Sequence, residues 1–205
     1  MAPEPTSDPG PARRRRAPPA LTRGWLRSCA EEHLRRFWPS VSQMRRVLHR
    51  RADRALAWHG GDRDAAAALV EQVLAELLAA RLLDDARFAR AWVDDLDRRG
   101  IPRRSMRQRL LSKGVDAALI DDALNARDQQ VVEPELARAC AYARRRRLGA
   151  ARPEHRRPDD PALRRARRDK DVAALCRAGF SVGVALQVID CPDLDALAAR
   201  AGEET

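Results

Sequence analysis

The chain has 205 residues, 40 of them Lys or Arg against 30 Asp or Glu, so its formal net charge is +10; 44% of residues are hydrophobic and 4% aromatic. A chain of this length can bury a sufficient core without staples. Its four cysteines, at 29, 140, 176 and 191, lack the C-x-x-C spacing of a zinc site, and no apolar run approaches the length of a membrane span. The charge favours an anionic partner, either nucleic acid or an acidic protein surface. Only Lys113 and Lys170 are lysines, and Ala and Pro abound. The preference for Arg therefore reads as coding bias, whereas the net charge keeps its physical meaning.

In chain order, residues 1–24 are rich in Pro and polar groups, with Arg13 to Arg16 in a block, and read as a disordered basic arm. Residues 25–82 read as a first three-helix repeat. Its first helix is expected near 29–37, anchored by Leu34, Phe37 and Trp38, and ended by Pro39. A second runs over about 41–58 with Val41, Met44, Val47 and Leu48 apolar; Gly60 and Gly61 break it. Asp62 caps a third, which runs to about 81 with Leu69, Val73, Leu77 and Leu78.

Residues 83–127 read as the second three-helix repeat, with the clearest punctuation in the chain. Asp84 is an N-cap candidate, because a short carboxylate accepts from first-turn amides. Phe88, Trp92 and Leu96 recur every four residues on one face. Gly100 stops that helix, Pro102 starts the next, and Met106, Leu110 and Leu111 supply its apolar side. Gly114 stops it, Asp116 caps the third, and Leu119, Ile120, Ala123 and Leu124 line that one.

Residues 128–191 read as the third repeat. Leu136, Ala139, Cys140 and Ala143 mark a helix over 130–148; an Arg/Pro-rich loop follows near 149–161, then a helix over 162–178. Gly179, Phe180 and Ser181 form a stop, a plug and a cap before a helix over 182–190. Asp193 caps a short last helix in 192–205, with Leu194, Leu197 and Ala198. Setting Gly114 on Gly179 brings Leu110 onto Leu175, Val115 onto Phe180, Ile120 onto Ala185, Ala123 onto Val188 and Leu124 onto Ile189. This is the signature of an internal repeat. A degraded third copy sets Met44 to Leu48 on Met106 to Leu110, with Ala52 in the glycine's place. The fold class expected is all-α: three tandem three-helix repeats forming an elongated curved array in which neighbours share core. Trp25, Trp38, Trp58 and Trp92 are expected in that core rather than stacked on bases.

Charge is segregated along the chain. Asp84 to Asp97 contains five acids and two arginines; Arg98 to Lys113 contains seven basic residues and no acid. Helix dipoles account for Asp84, Asp85, Arg98 and Arg99 but not for the rest. The candidate protein- or DNA-binding residues are Arg98, Arg99, Arg103, Arg104, Arg107, Arg109 and Lys113, together with Arg144, Arg145, Arg146 and Arg147. From Arg144 to Arg168 there are eleven arginines against three acids, the densest charge in the chain.

No catalytic constellation is present. The phosphate-cradling G-x-x-x-x-G-K-[ST] and the G-x-S-x-G elbow are missing, and the histidines at 33, 49, 59 and 155 show no H-E-x-x-H spacing. The pairs Asp84–Asp85, Asp94–Asp95 and Asp121–Asp122 point about 100° apart on a helix and chelate a metal poorly. No metal, no cofactor and no enzymatic activity are expected.

Leu83-Asp84-Asp85-Ala86-Arg87-Phe88-Ala89-Arg90, then Arg98-Arg99-Gly100, then Leu110-Leu111-Ser112-Lys113-Gly114-Val115 resemble the RecX family of recombination regulators. Leu175-Cys176-Arg177-Ala178-Gly179-Phe180-Ser181 is similar to that family's closing repeat. The resemblance covers roughly residues 29–190 and is strongest over 82–125. It departs in the first repeat, where the family's Ser-x-x-Glu-Leu-like entry is Ser40-Val41-Ser42-Gln43-Met44, and at Leu83, where the family usually has an aromatic. The resemblance implies a cytoplasmic, monomeric regulator that binds the recombinase RecA on single-stranded DNA. Such proteins lie in the groove of the filament, inhibit its ATPase and strand exchange, and favour net disassembly. The alternative is a sequence-independent DNA-binding helix-turn-helix protein, since helix–Gly–helix units with basic residues also suit that role.

Overall fold

The computed structural model describes residues 17–202, so the Arg13 to Arg16 block lies outside the described residues. Among these, the secondary structure is ten α-helices and two short 3-10 helices. The helices are α1 (Arg23–Leu34), α2 (Val41–His59), α3 (Arg63–Ala79), α4 (Asp85–Arg98), α5 (Arg103–Ser112), α6 (Ala117–Asp128), α7 (Pro134–Arg146), α8 (Pro161–Ala178), α9 (Val182–Asp190) and α10 (Leu194–Gly202). The 3-10 turns, Gly149–Ala151 and Glu154–Arg156, occupy the segment expected to be a loop. The described chain divides into two compact units, 17–37 with 44–79 and 38–43 with 80–202.

In the first unit Leu26 and Ala30 of α1, Met44, Leu48, Ala52 and Ala55 of α2, and Val70, Val73, Leu74 and Leu77 of α3 are buried. Helix α1 starts earlier than the periodicity predicts, because Thr22 accepts from the Trp25 N–H at 3.2 Å and so caps one of its orphan amides. It also ends before the expected anchor Phe37, which is exposed along with Trp58. Leu78, expected on the buried stripe, is exposed, and Val70 and Leu74 take the core positions instead. Ala52 is buried inside an uninterrupted α2, so this copy of the repeat has no stop at that place. Three ion pairs tie the unit's surface: Arg23 and Arg27 reach Glu76 at 2.5 and 3.0 Å, and Arg45 reaches Glu71 at 2.7 Å.

The second unit holds two cores. Phe88, Ala89, Val93, Leu96, Met106, Leu110, Ile120 and Leu124 form one across α4, α5 and α6. Leu136, Ala139, Cys140, Ala143, Leu175, Phe180, Ala185, Val188 and Leu197 form the other across α7 to α10. The internal repeat is visible in the burial pattern. Leu110 and Leu175, Val115 and Phe180, Ile120 and Ala185, and Leu124 and Ile189 are all buried, whereas Leu111 is exposed and its counterpart Cys176 half-buried. The helix stops repeat as well. The Val115 N–H donates to the Leu110 carbonyl at 3.3 Å, and the Phe180 N–H to the Leu175 carbonyl at 3.2 Å. Each such bond satisfies a carbonyl that the end of a helix orphans. Trp92 packs on the first core, 5.9 Å from Phe88 between ring centroids, but Trp38 is 46% exposed with the Arg87 guanidinium 5.0 Å from its ring.

Gly100 brings α4 against α7. Its φ is +64°, and a Cβ there would sit 2.3 Å from the Tyr142 nitrogen and 2.4 Å from the Arg138 carbonyl oxygen. Beside this contact lies a buried charge network. Arg138 is only 4% exposed and bonds to Asp97 at 2.5 Å and to Asp128. Asp97 is shared with Arg127 at 2.9 Å, and Asp128 with Arg103. Each carboxylate thus has two guanidinium partners, which offsets the cost of taking these charges out of water.

Candidate protein and nucleic-acid interface

The candidate basic residues sit on the end of α4, on α5 and on the end of α7. The fold brings acids onto most of the first group. Arg98 and Arg99 both reach Asp95, at 3.7 and 3.0 Å. Arg103 bonds Asp128 and, at 2.8 Å, Asn125. Arg107 forks onto both oxygens of Asp121, at 2.9 and 3.3 Å. This hydrogen-bonded pair raises the Arg107 guanidinium pKa and holds the Asp121 carboxyl below its ordinary value. Asp97 and Asp128 therefore bridge α4, α5, α6 and α7, a structural role that residue counting along one helix does not reveal.

What remains on α5 is smaller and more specific. The Arg104 and Arg109 side chains are exposed and have no hydrogen-bond or ion-pair partner among the described residues. The Lys113 ammonium lies 4.1 Å from the centroid of the Trp92 ring, a cation–π contact that fixes its position while leaving its charge uncancelled. Lys113 also anchors the segment before α2, since its carbonyl accepts from the buried Ser40 hydroxyl at 2.7 Å. Asp85 accepts from the Val41 N–H at 2.9 Å, so this acid serves the start of α2.

On α7, Arg144 pairs with Asp195, and the Arg145 and Arg146 guanidiniums lie 5.5 and 5.8 Å from the Tyr142 ring. Arg147 adopts the left-handed conformation, φ 56°, as the helix C-cap. The Leu148 N–H then closes the helix by donating to the Ala143 carbonyl at 2.9 Å. Arg147 is therefore used first to end a helix. The candidate set does not converge on one point: Arg104 and Arg109 belong to α5, Lys113 is its C-cap, and Arg145 and Arg146 belong to α7.

The dense charge over 144–168 has a second part, beyond those candidates. Arg152, Arg157, Arg164, Arg165, Arg167 and Arg168 line a cleft between the 3-10 turns, α8 and the end of α9. The signal in the sequence was the spacing of Arg164, Arg167 and Arg168, which puts all three on one face of α8.

The acidic pairs are used by the fold. Asp84 caps α4 by accepting from the Arg87 N–H at 2.9 Å, and Asp121 holds Arg107. Among the described residues no three His, Cys, Asp or Glu side chains cluster as a metal site would need, and no helix is long and apolar enough to cross a membrane.

Comparison with known proteins gives one consistent answer. The family model described as "RecX, second three-helix domain" matches residues 84–124, the span of α4 to α6. The chain is 37% identical over 188 residues to "Regulatory protein RecX" of Myxococcus xanthus (strain DK1622), covering 92% of this chain and 94% of that one. It is 38% identical over 120 residues to the protein of that name from Streptomyces coelicolor, covering 58% of this chain and 57% of that one. Of the solved structures, "Crystal structure of RecX from Lactobacillus salivarius" superposes with a TM-score of 0.57 at 19% identity, over 82% of this chain and 96% of that one. At that identity the superposition speaks to the fold alone, an all-α repeat.

Proposed function

The chain belongs to the RecX family of regulatory proteins, and from this premise we propose that it binds RecA–single-stranded DNA filaments and inhibits RecA ATPase and strand exchange. In this reading it modulates recombination and DNA repair. Family membership along nearly the whole chain carries the reading. The uncompensated charge on and at the end of α5 supports it physically: Arg104 and Arg109 are exposed and the half-buried Lys113 lies over Trp92, all three with no carboxylate on their side chains among the described residues. They suit an acidic protein surface or an exposed phosphate. Arg145 and Arg146 supply a second basic patch on α7. Two patches on one chain can engage a polymeric partner at more than one place, so contacts that are weak singly multiply through effective concentration.

The test is the single-stranded-DNA-dependent ATPase of RecA with this protein titrated in, at sub-stoichiometric and higher ratios, and with free single-stranded DNA varied in parallel. The expected result is inhibition that excess DNA does not rescue. Full rescue by DNA would mean competition for the strand alone, the behaviour of a plain DNA-binding protein. Unchanged ATPase at every ratio would remove the proposal. Charge reversal at Arg104 and Arg109 is expected to weaken the inhibition, since neither side chain has an internal partner to lose.

A further inference from the structure

The cleft on the α8 side of the molecule has a volume of about 690 Å³ and is lined by Arg152, Arg157, Arg164, Arg165, Arg167 and Arg168, against two carboxylates, Asp171 and Asp190. The six guanidiniums divide into two kinds. Arg152 contacts both oxygens of the buried Asp171, at 2.8 and 2.6 Å, and Asp171 also accepts from the Gly149 N–H at 3.1 Å. Arg168 forks onto Asp190, at 2.5 and 2.6 Å. These two pairs brace the walls. The other four arginines keep their charge.

Arg157 is the informative one. Its guanidinium donates to two backbone carbonyls, those of Arg152 at 3.1 Å and Ala150 at 2.9 Å. Carbonyls orient a guanidinium without neutralising it, so Arg157 is a positioned positive charge in the lining of the cleft. Arg164, Arg165 and Arg167 are exposed and have no carboxylate partner among the described residues. Asp160 is occupied in capping α8, where it accepts from the Ala162 and Leu163 amides at 2.6 and 3.1 Å.

A merely solvated charge run would need no braced walls and no guanidinium held by carbonyls. We propose that this cleft binds the phosphodiester backbone of a single nucleic-acid strand, with Arg157, Arg164, Arg165 and Arg167 on successive phosphates. Guanidinium suits phosphate because its fork of N–H donors matches two phosphate oxygens. Several uncompensated charges along an open cleft suit a chain of phosphates better than one compact anion. The proposal deepens the filament reading by assigning its nucleic-acid component to α8 and leaving α5 for protein.

The experiment uses the full chain and no recombinase, so its failure is distinct from failure of the filament reading. Anisotropy of a fluorescein-labelled oligothymidylate is titrated across a salt series for the wild type and for Arg164→Gln/Arg165→Gln/Arg167→Gln. Arg50→Gln/Arg54→Gln/Arg63→Gln serves as the control of equal charge loss on exposed residues elsewhere. For a single strand, log K falls with log salt by about 0.7 per phosphate contact. The triple variant in the cleft should flatten the slope by about 2 and weaken binding at least tenfold at low salt. Arg157→Gln should flatten it by about 0.7, and the control should leave it unchanged. Equal losses in the cleft variant and the control would overturn the proposal, as would no loss in either. Sodium tripolyphosphate and an oligoglutamate peptide serve as competitors. Tighter binding of either one than of the oligothymidylate, lost in the same cleft variant, would reassign the cleft to a free polyphosphate or to an acidic protein segment and overturn the strand assignment.

Discussion

Gly100 and Gly179 end helices in the same way but sit in different surroundings, and this difference gives a quantitative test of how the second unit is assembled. Both have positive φ, +64° and +113°. Alanine at either position therefore carries a backbone cost of roughly 1–2 kcal/mol. At Gly179 the added methyl would meet only Pro102, with nearest atoms at 3.7 and 3.8 Å, so the backbone cost is nearly the whole effect. At Gly100 it would lie 2.3 Å and 2.4 Å from backbone atoms of Tyr142 and Arg138 in α7. Helix backbone cannot swing aside as a side-chain end can. Either α4 and α7 separate, exposing part of two cores and the Arg138 network, or the overlap persists; overpacking of this kind adds about 1–3 kcal/mol. Gly100→Ala should thus destabilise by about 2–5 kcal/mol and exceed Gly179→Ala by at least about 1 kcal/mol. Urea unfolding of both variants, followed by far-ultraviolet circular dichroism, measures this. If Gly100→Ala were no more destabilising than Gly179→Ala, the close approach of α4 to α7 would not be a property of the folded protein.

Arg138→Met should cost about 2 kcal/mol in the same assay, below the usual range for breaking a buried pair, because Asp97 keeps Arg127 and Asp128 keeps Arg103; a change under about 0.5 kcal/mol would contradict the network. Asp84→Ala should cost about 1 kcal/mol through loss of the α4 cap, and Asp84→Asn should recover most of it. Asp121 and Asp190 have carboxyls held below their ordinary values by hydrogen bonds to Arg107 and Arg168. Their stabilisation is complete above the unfolded value of about 3.9 and is lost as pH falls through the lower folded value. The urea midpoint should therefore drop below about pH 4 by more in the wild type than in Arg107→Gln/Arg168→Gln. Burial pushes the Cys140 thiol up to about 11, so at pH 8 a maleimide should modify the half-buried Cys176 and Cys191 well before Cys140. Early labelling of Cys140, read by mass spectrometry, would contradict its burial.

The sequence was most readable where local chemistry decides the outcome. Asp84, Asp116 and Ser181 cap helices through their side-chain oxygens, and Gly100, Gly114 and Gly179 stop helices at positive φ, as their residue types predict. The offset that placed Leu110 on Leu175 also predicted which residues share burial. Phe37, Trp38 and Trp58 were misread because apolar identity says nothing about which face of a helix meets a neighbour, and all three are exposed. The start of α1 was missed because Thr22 stands beyond a Pro-rich stretch that masked its capping role. The basic run 98–113 looked uncompensated because its carboxylates, Asp121 and Asp128, come from another helix. Charge counted along a chain does not see pairing across a fold. The arginine density over 144–168 is legible in the sequence as a stretch that could reach an anion; which of its arginines Asp171 and Asp190 occupy, and which they leave free, is not.

The most direct test of the central claim is binding of the labelled chain to preassembled RecA–single-stranded DNA filaments, held with a non-hydrolysable ATP analogue, against the same DNA without RecA at equal salt. The account predicts occupancy of filaments at protein concentrations where naked DNA is still mostly free. It also predicts that Arg104→Glu/Arg109→Glu lowers filament binding with little effect on the naked strand. Equal affinity for filament and naked DNA, with parallel salt dependence, would contradict it and leave a DNA-binding protein with no preference for the recombinase.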